Sequence, residues 1–238
     1  MISWLDKRPK RSETPRLGAR RVKLATTKVD ISDLTPQVMP YLGQAAYFEL
    51  AVFESLAGAV ATAPNLAARE GLSAAAGRAL SKHHGLIQEI RRRGGEPAVE
   101  MTPFAPALDL YRQKTTGADW HEVLLSCYLT GGLLDDFFIR LSDGLPGDVG
   151  PRIAKLLGED AGTEVLVHEL KVAINADPTL GSRLAMWGRR LVGDTLLVAR
   201  SAMALSAASG TEESRIEPVF TELIAAHTRR MDGLGLTA

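Results

Sequence analysis

The chain has 238 residues and a single cysteine, Cys127, set inside an apolar run. A disulfide within the chain is therefore excluded, as is a cysteine-built metal cluster, and the thiol reads as a small buried core residue. Aromatic residues are scarce at 5%, and none interleaves with the basic N-terminal stretch in the way a base-stacking surface requires. No segment alternates at strand period between hairpin signals, and no repeat occurs at solenoid spacing. The N-terminus lacks the apolar core of a secretory leader. Residues 42–63 are apolar enough to raise a membrane span, but Gln44, Glu49 and Glu54 would then sit at costly bilayer depth. These absences leave a soluble, cytoplasmic protein, without a membrane partner, as the expectation.

What is present favours helices. Hydrophobic residues make up 45% and charged residues 24%, an ordinary globular balance that is rich in alanine and leucine. The length suffices for one main domain with appendages. Formal net charge is +0, yet residues 1–29 carry nine lysines and arginines against Asp6 and Glu13, a balance of +7, which leaves −7 on the remainder. We therefore divide the chain into a basic, flexible arm at 1–30 and a helical domain at 31–235. The arm residues Arg8, Lys10, Arg11, Arg20, Arg21 and Lys23 either steer toward a polyanion such as tRNA or form a solvated tail.

Breakers mark the helices. Thr35-Pro36 supplies a cap and a first-turn proline for a helix running to about Ala63. Pro64-Asn65 ends it, and a second helix spans about Leu66 to Arg93, stopped by Gly94-Gly95, with Arg91, Arg92 and Arg93 on its C-terminal dipole. Residues 94–118 hold three prolines and read as a long connection with one short helix. Asp119 and Glu122 form a capping-box spacing for a third long helix to Ser142. A fourth is expected over Pro151–Asn175, a fifth over Leu180–Ala208 and a sixth over Arg215–Met231. Two hairpins joined by a long crossover are the connectivity of an all-α, ferritin-like four-helix bundle, here with two appended C-terminal helices.

Glu49 is the anomaly in this pattern. Val38, Leu42, Ala45, Glu49, Val52 and Leu56 share one face of the first helix, which puts a carboxylate inside an apolar stripe. A buried carboxylate needs a cation, a metal or a proton. The other helices offer His83 on a Leu72-Ala76-Leu80-His83-Ile87 stripe, Asp135 on the Tyr128-Phe138 face, and Glu164 with His168 on an Ile153-Leu157-Ala161 stripe. Bundles of this class hold two metal ions with one carboxylate from each of two helices and a Glu-x-x-His pair from each of the others. Oxygen and nitrogen donors suit iron or manganese. Both pairs are broken, because Leu80 and Val165 stand three residues before His83 and His168. One or two iron ions, or none, fit this set. A buried arginine or His83 can neutralise Glu49 instead, and Asp135 or Asp136 can pair with Arg140 on the helix surface.

The run Ser182-Arg183-Leu184-Ala185-Met186-Trp187-Gly188-Arg189-Arg190-Leu191-Val192-Gly193-Asp194, with Tyr47-Phe48-Glu49-Leu50 and Leu133-Leu134-Asp135-Asp136-Phe137-Phe138, resembles an actinobacterial branch of ferritin-like proteins grouped with MiaE, the tRNA 2-methylthio-N6-isopentenyladenosine hydroxylase. The likeness covers roughly residues 30–235. It implies a ferritin-like fold and a relationship to a non-haem di-iron oxygenase acting on a modified tRNA nucleoside, supplied with electrons by a reductase. Glu49, His83, Asp135 and His168 fall on that family's ligand positions, while Leu80 and Val165 fall where it has glutamate. The alternative is a non-catalytic ferritin-like scaffold whose inward polar residues form a hydrogen-bonded network. Apolar faces on the last two helices are compatible with packing on the bundle or in a homodimer.

Overall fold

Asn65 shows how locally the helix boundaries are set: its side-chain oxygen accepts the backbone N–H of Ala68 at 2.8 Å, one of the donors a helix start leaves over. The computed structural model describes residues 37–206 and 213–238. The basic arm, with Arg8, Lys10, Arg11, Arg20, Arg21 and Lys23, and the Thr35-Pro36 start lie outside the described residues. Helix α1 (Val38–Ala61) and α2 (Leu66–Arg92) form the first hairpin. Gly94 then takes the left-handed conformation at φ 76°, and Gly95 follows.

The crossover carries more helix than the sequence predicts. It comprises α3 (Pro97–Met101), a single 3-10 turn at Thr102–Phe104, and α4 (Ala105–Thr115). Prolines 97, 103 and 106 sit in first turns, where the missing N–H costs nothing. Helix α3 lies directly on α1 because Gly43 has no side chain. A Cβ there would stand 2.2 Å from the Glu100 carbonyl oxygen.

Asp119 caps α5 (Trp120–Ser126) as expected, accepting from Glu122 N at 3.0 Å, while Glu122 accepts from Ala118 N at 2.8 Å. The third bundle helix continues through a π-helical turn at Cys127–Gly131 into α6 (Gly132–Ser142). The fourth is not continuous. It is split into α7 (Val149–Leu157) and α8 (Thr163–Ala176) by a turn in which Gly162 adopts φ 68° and donates its N–H to Asp160 Oδ1 at 2.9 Å. Helix α7 packs on α2 and α6, tied by Arg152 to the buried Glu89 at 2.8 Å; α8 packs on α2 and α5. No strand occurs among the described residues, and none of their helices is long and apolar enough to cross a membrane.

Helices α9 (Pro178–Ser206) and α10 (Glu213–Gly233) pack on the bundle. The Trp187-Gly188-Arg189-Arg190 run is the fastening. Trp187 Nε1 donates to Ser126 Oγ at 2.9 Å, and the Arg190 guanidinium lies 5.2 Å from the Trp187 ring centre. Gly188 makes room for Met231 of α10, whose sulfur would be 2.4 Å from an added Cβ, and Arg189 donates to the Thr237 carbonyl at 2.7 Å.

The turn at Gly162 supplies a test of the split helix. A side chain there would meet the Ala75 backbone at 3.1 Å in a conformation that disfavours Cβ. We expect Gly162→Ala to lower unfolding free energy by about 1–2 kcal/mol, read from the urea midpoint at unchanged m-value.

Candidate functional site

The middle of the bundle holds one polar layer. The buried apolar residues fall into two clusters, one around Phe48, Leu86, Leu134 and Phe138 and the other around Leu56, Ala79, Leu129 and Leu166. Between them α1 places Glu49, α2 places Lys82 and α6 places Asp135. Glu49 and Lys82 are each 2% exposed. Lys82 Nζ donates to Asp135 Oδ2 at 2.7 Å, and the Asp135 side chain is 16% exposed. The second oxygen of Asp135, Oδ1, and Glu49 Oε1 are buried without a hydrogen-bond partner among the described residues. All three residues border one cavity of about 50 Å³, closed by Val52, Tyr128, Gly131 and Leu166. That volume admits water.

Burial, and then the Asp135 charge, hold the Glu49 carboxyl well above its ordinary value of 4.5, while Lys82 opposes them. One ammonium thus faces two carboxyls, and the arrangement is neutral when Asp135 is ionised and Glu49 holds its proton.

Of the expected ligands, Glu49 and Asp135 are brought together. His83 is not with them: it is buried, but its Nδ1–H donates to the Ala46 carbonyl at 2.8 Å. Burial pushes its pKa down against that hydrogen bond, so the ring is neutral at pH 7. The inward placing of Glu164 and His168 needs correction. Both are exposed, because the turn at 158–162 resets the phase of α8 and turns Leu166 and Leu170 inward instead. Val165 seats a methyl group over Gly71, and Leu80 is half-buried. Asp136 is a surface acid as expected, but its partner is Arg230 at 2.8 Å, whereas Arg140 pairs with Glu222 at 3.0 Å.

Lys82 is the residue the sequence reading missed. A signal for it exists, since Ala68, Leu72, Ala75 and Ala79 form a tight small-residue seam that Lys82 and Leu86 continue at steps of three and four. The stripe chosen from sequence shares buried Leu72, Ala76 and His83 with the inward face but takes half-buried Leu80 and Ile87 in place of Ala79 and Leu86, which leaves Lys82 off it.

A family model described as "Ferritin-like domain, actinomycetes" matches residues 34–211. The chain belongs to this family. A comparison with curated proteins gave no match. For this ferritin-like chain the donors can be set against a di-iron centre, which wants four carboxylates and two histidines. Here two carboxyls converge with an ammonium already on one of them, and among the described residues no three His, Cys, Asp or Glu side chains come close enough to share an ion. The donor set does not fit a di-iron centre, and the middle layer of this ferritin-like bundle is instead a lysine–carboxylate cluster.

Two outcomes follow. Lys82→Met leaves the partly buried Asp135 carboxylate without its cation and should cost about 1–3 kcal/mol of stability at pH 7, measured by urea unfolding. Glu49→Gln should change the pH dependence. Below 4.5 folded and unfolded chains both hold the Glu49 proton; above it the unfolded chain releases the proton and the folded chain keeps it. The contribution of Glu49 is thus complete at low pH and falls away as pH rises through its folded pKa. Stability measured from pH 4 upward should show that loss in the wild type and lack it in Glu49→Gln.

Proposed function

We propose that this protein is a ferritin-like chain that works without a metal, as a non-catalytic binding or scaffold module. The observation that carries the reading is the Lys82 ammonium 2.7 Å from Asp135, at 2% exposure, in the middle layer of the bundle. A cation supplied by the chain supports the core charge that a ferritin-like centre assigns to iron. A divalent ion entering beside it would meet like-charge repulsion in a low-dielectric site. His83 is committed to Ala46 and neutral, which suits a core residue better than a ligand.

The second reading is a MiaE-like, iron-dependent hydroxylase acting on a modified tRNA nucleoside, with a reductase as electron source. In its favour stand Glu49 Oε1 and Asp135 Oδ1, two buried carboxyl oxygens that lack partners and border one cavity. Iron binding there would require Lys82 to leave Asp135 or lose its proton.

Elemental analysis of protein purified aerobically with iron supplied separates the two. The metal-free reading expects substoichiometric iron, fully folded protein, and no change in iron content on Glu49→Ala. Two irons per chain, lost on Glu49→Ala, would overturn it.

A further inference from the structure

A second cavity lies outside the lysine–carboxylate cluster, between α1, the crossover helix α4 and α5. It encloses about 480 Å³, the size class of small-molecule sites. It exists because α1 turns small residues, Ala51, Ser55, Gly58 and Ala59, toward the crossover. Opposite them stand Leu108 and Tyr111 of α4 and Trp120 and Val123 of α5. The space is therefore framed by aromatic and aliphatic walls that do not close on each other.

The polar groups in the wall define what fits. Ser55, Thr115 and Thr130 each spend their hydroxyl proton on a carbonyl of their own helix, at 2.9, 2.9 and 2.7 Å. Trp120 Nε1 is spent on the Ala59 carbonyl at 3.0 Å. Ser126 differs. It is 6% exposed, its Oγ accepts from Trp187 Nε1, and its own proton goes to no described residue. At the mouth the charges are already matched, Arg112 with Glu54 and Asp119 with Arg183. An ionised ligand would find no free counter-charge and would pay its desolvation unrepaid.

We propose that this cavity is a binding site for a neutral, largely apolar small molecule, with a flat or elongated body and one hydrogen-bond acceptor such as a carbonyl or ether oxygen, directed at the Ser126 hydroxyl. The proposal rests on the reading of the chain as a binding protein and gives that reading its ligand class. The lining shares Val52 and Cys127 with the small central cavity but does not include Glu49, Lys82 or Asp135. Burial pushes the Cys127 thiol up to about 12, so it enters the wall as a neutral group.

Titration of the full chain with prodan, a neutral naphthalene fluorophore bearing one ketone, provides the test. A blue-shifted, saturable, one-to-one signal is expected, insensitive to salt. Gly58→Phe should weaken it at least tenfold without loss of fold, because a Cβ at Gly58 meets nothing within 4 Å. Ala51→Leu, which adds bulk to the wall of the same space, should act in the same direction. A naphthalene sulfonate of similar size should bind at least tenfold more weakly than prodan. A non-saturating signal overturns the proposal, as does an affinity unmoved by either variant in folded protein. Equal affinity for the sulfonate, or a dimer whose formation abolishes prodan binding and so assigns the space to a second copy, also overturns it. Iron content reports separately: iron with prodan bound sinks the metal-free reading alone, whereas absent iron with no prodan binding sinks the pocket alone.

Discussion

The contact between the Lys82 ammonium and the Asp135 carboxylate, with Glu49 beside it, is the constraint around which the bundle is arranged. It joins α2 to α6 across 53 residues of sequence and separates the two apolar clusters of the core. A buried pair of this kind adds little net stability over apolar packing, because desolvation of both ions nearly offsets their attraction. What it adds is register. Shifting α2 by one residue against α6 would leave an ammonium and a carboxylate apart from each other in the core, at a cost of several kcal/mol. Alanines at 68, 75, 76 and 79 let the helices approach closely enough for that register to hold.

Much of the fold was legible because its signals are local. Asn65 and Asp119 cap where their side chains can reach the next turn's N–H, and Gly94 stops α2 because it can turn left-handed. Glu49 was legible for the same reason, lying alone in a continuous apolar stripe. The break at Gly162 was not, since a glycine within a periodic apolar pattern is as compatible with a continuous helix as with a turn, and only packing against Ala75 and Arg78 decides. Once the break is misplaced, every facing downstream of it is misplaced too, which is how Glu164 and His168 came to be read as inward. Lys82 escaped because a lysine beside a histidine reads as solvent-facing when the stripe is drawn through Leu80 and Ile87.

The Trp187-Gly188-Arg189-Arg190 run shows that a distinctive motif need not mark chemistry. Its residues are occupied with packing: the indole fastens α9 to Ser126, the glycine admits Met231, Arg189 holds the Thr237 carbonyl, and Arg190 covers the indole face on its own helix. The run identifies a way of attaching α9 and α10 to a ferritin-like bundle. It therefore supports kinship in architecture, and carries no information on whether the bundle's centre holds metal.

Charge balance limits how many acids the lysine-centred layer can hold. In a di-iron bundle the ions neutralise four carboxylates, so each glutamate is matched by positive charge already in place. A lysine brings one charge only. With Asp135 ionised, that charge is used, and Glu49 remains in the layer by keeping its proton. Leu80 and Val165 stand outside that layer: both are half-buried, neither borders its cavity, and Val165 is seated against Gly71. Under the reading proposed here, the two positions that look like losses from a metal site are packing positions beside a lysine-centred layer. Restoring glutamate at Leu80 and Val165 would leave Lys82 on Asp135, and so would not by itself rebuild a metal site.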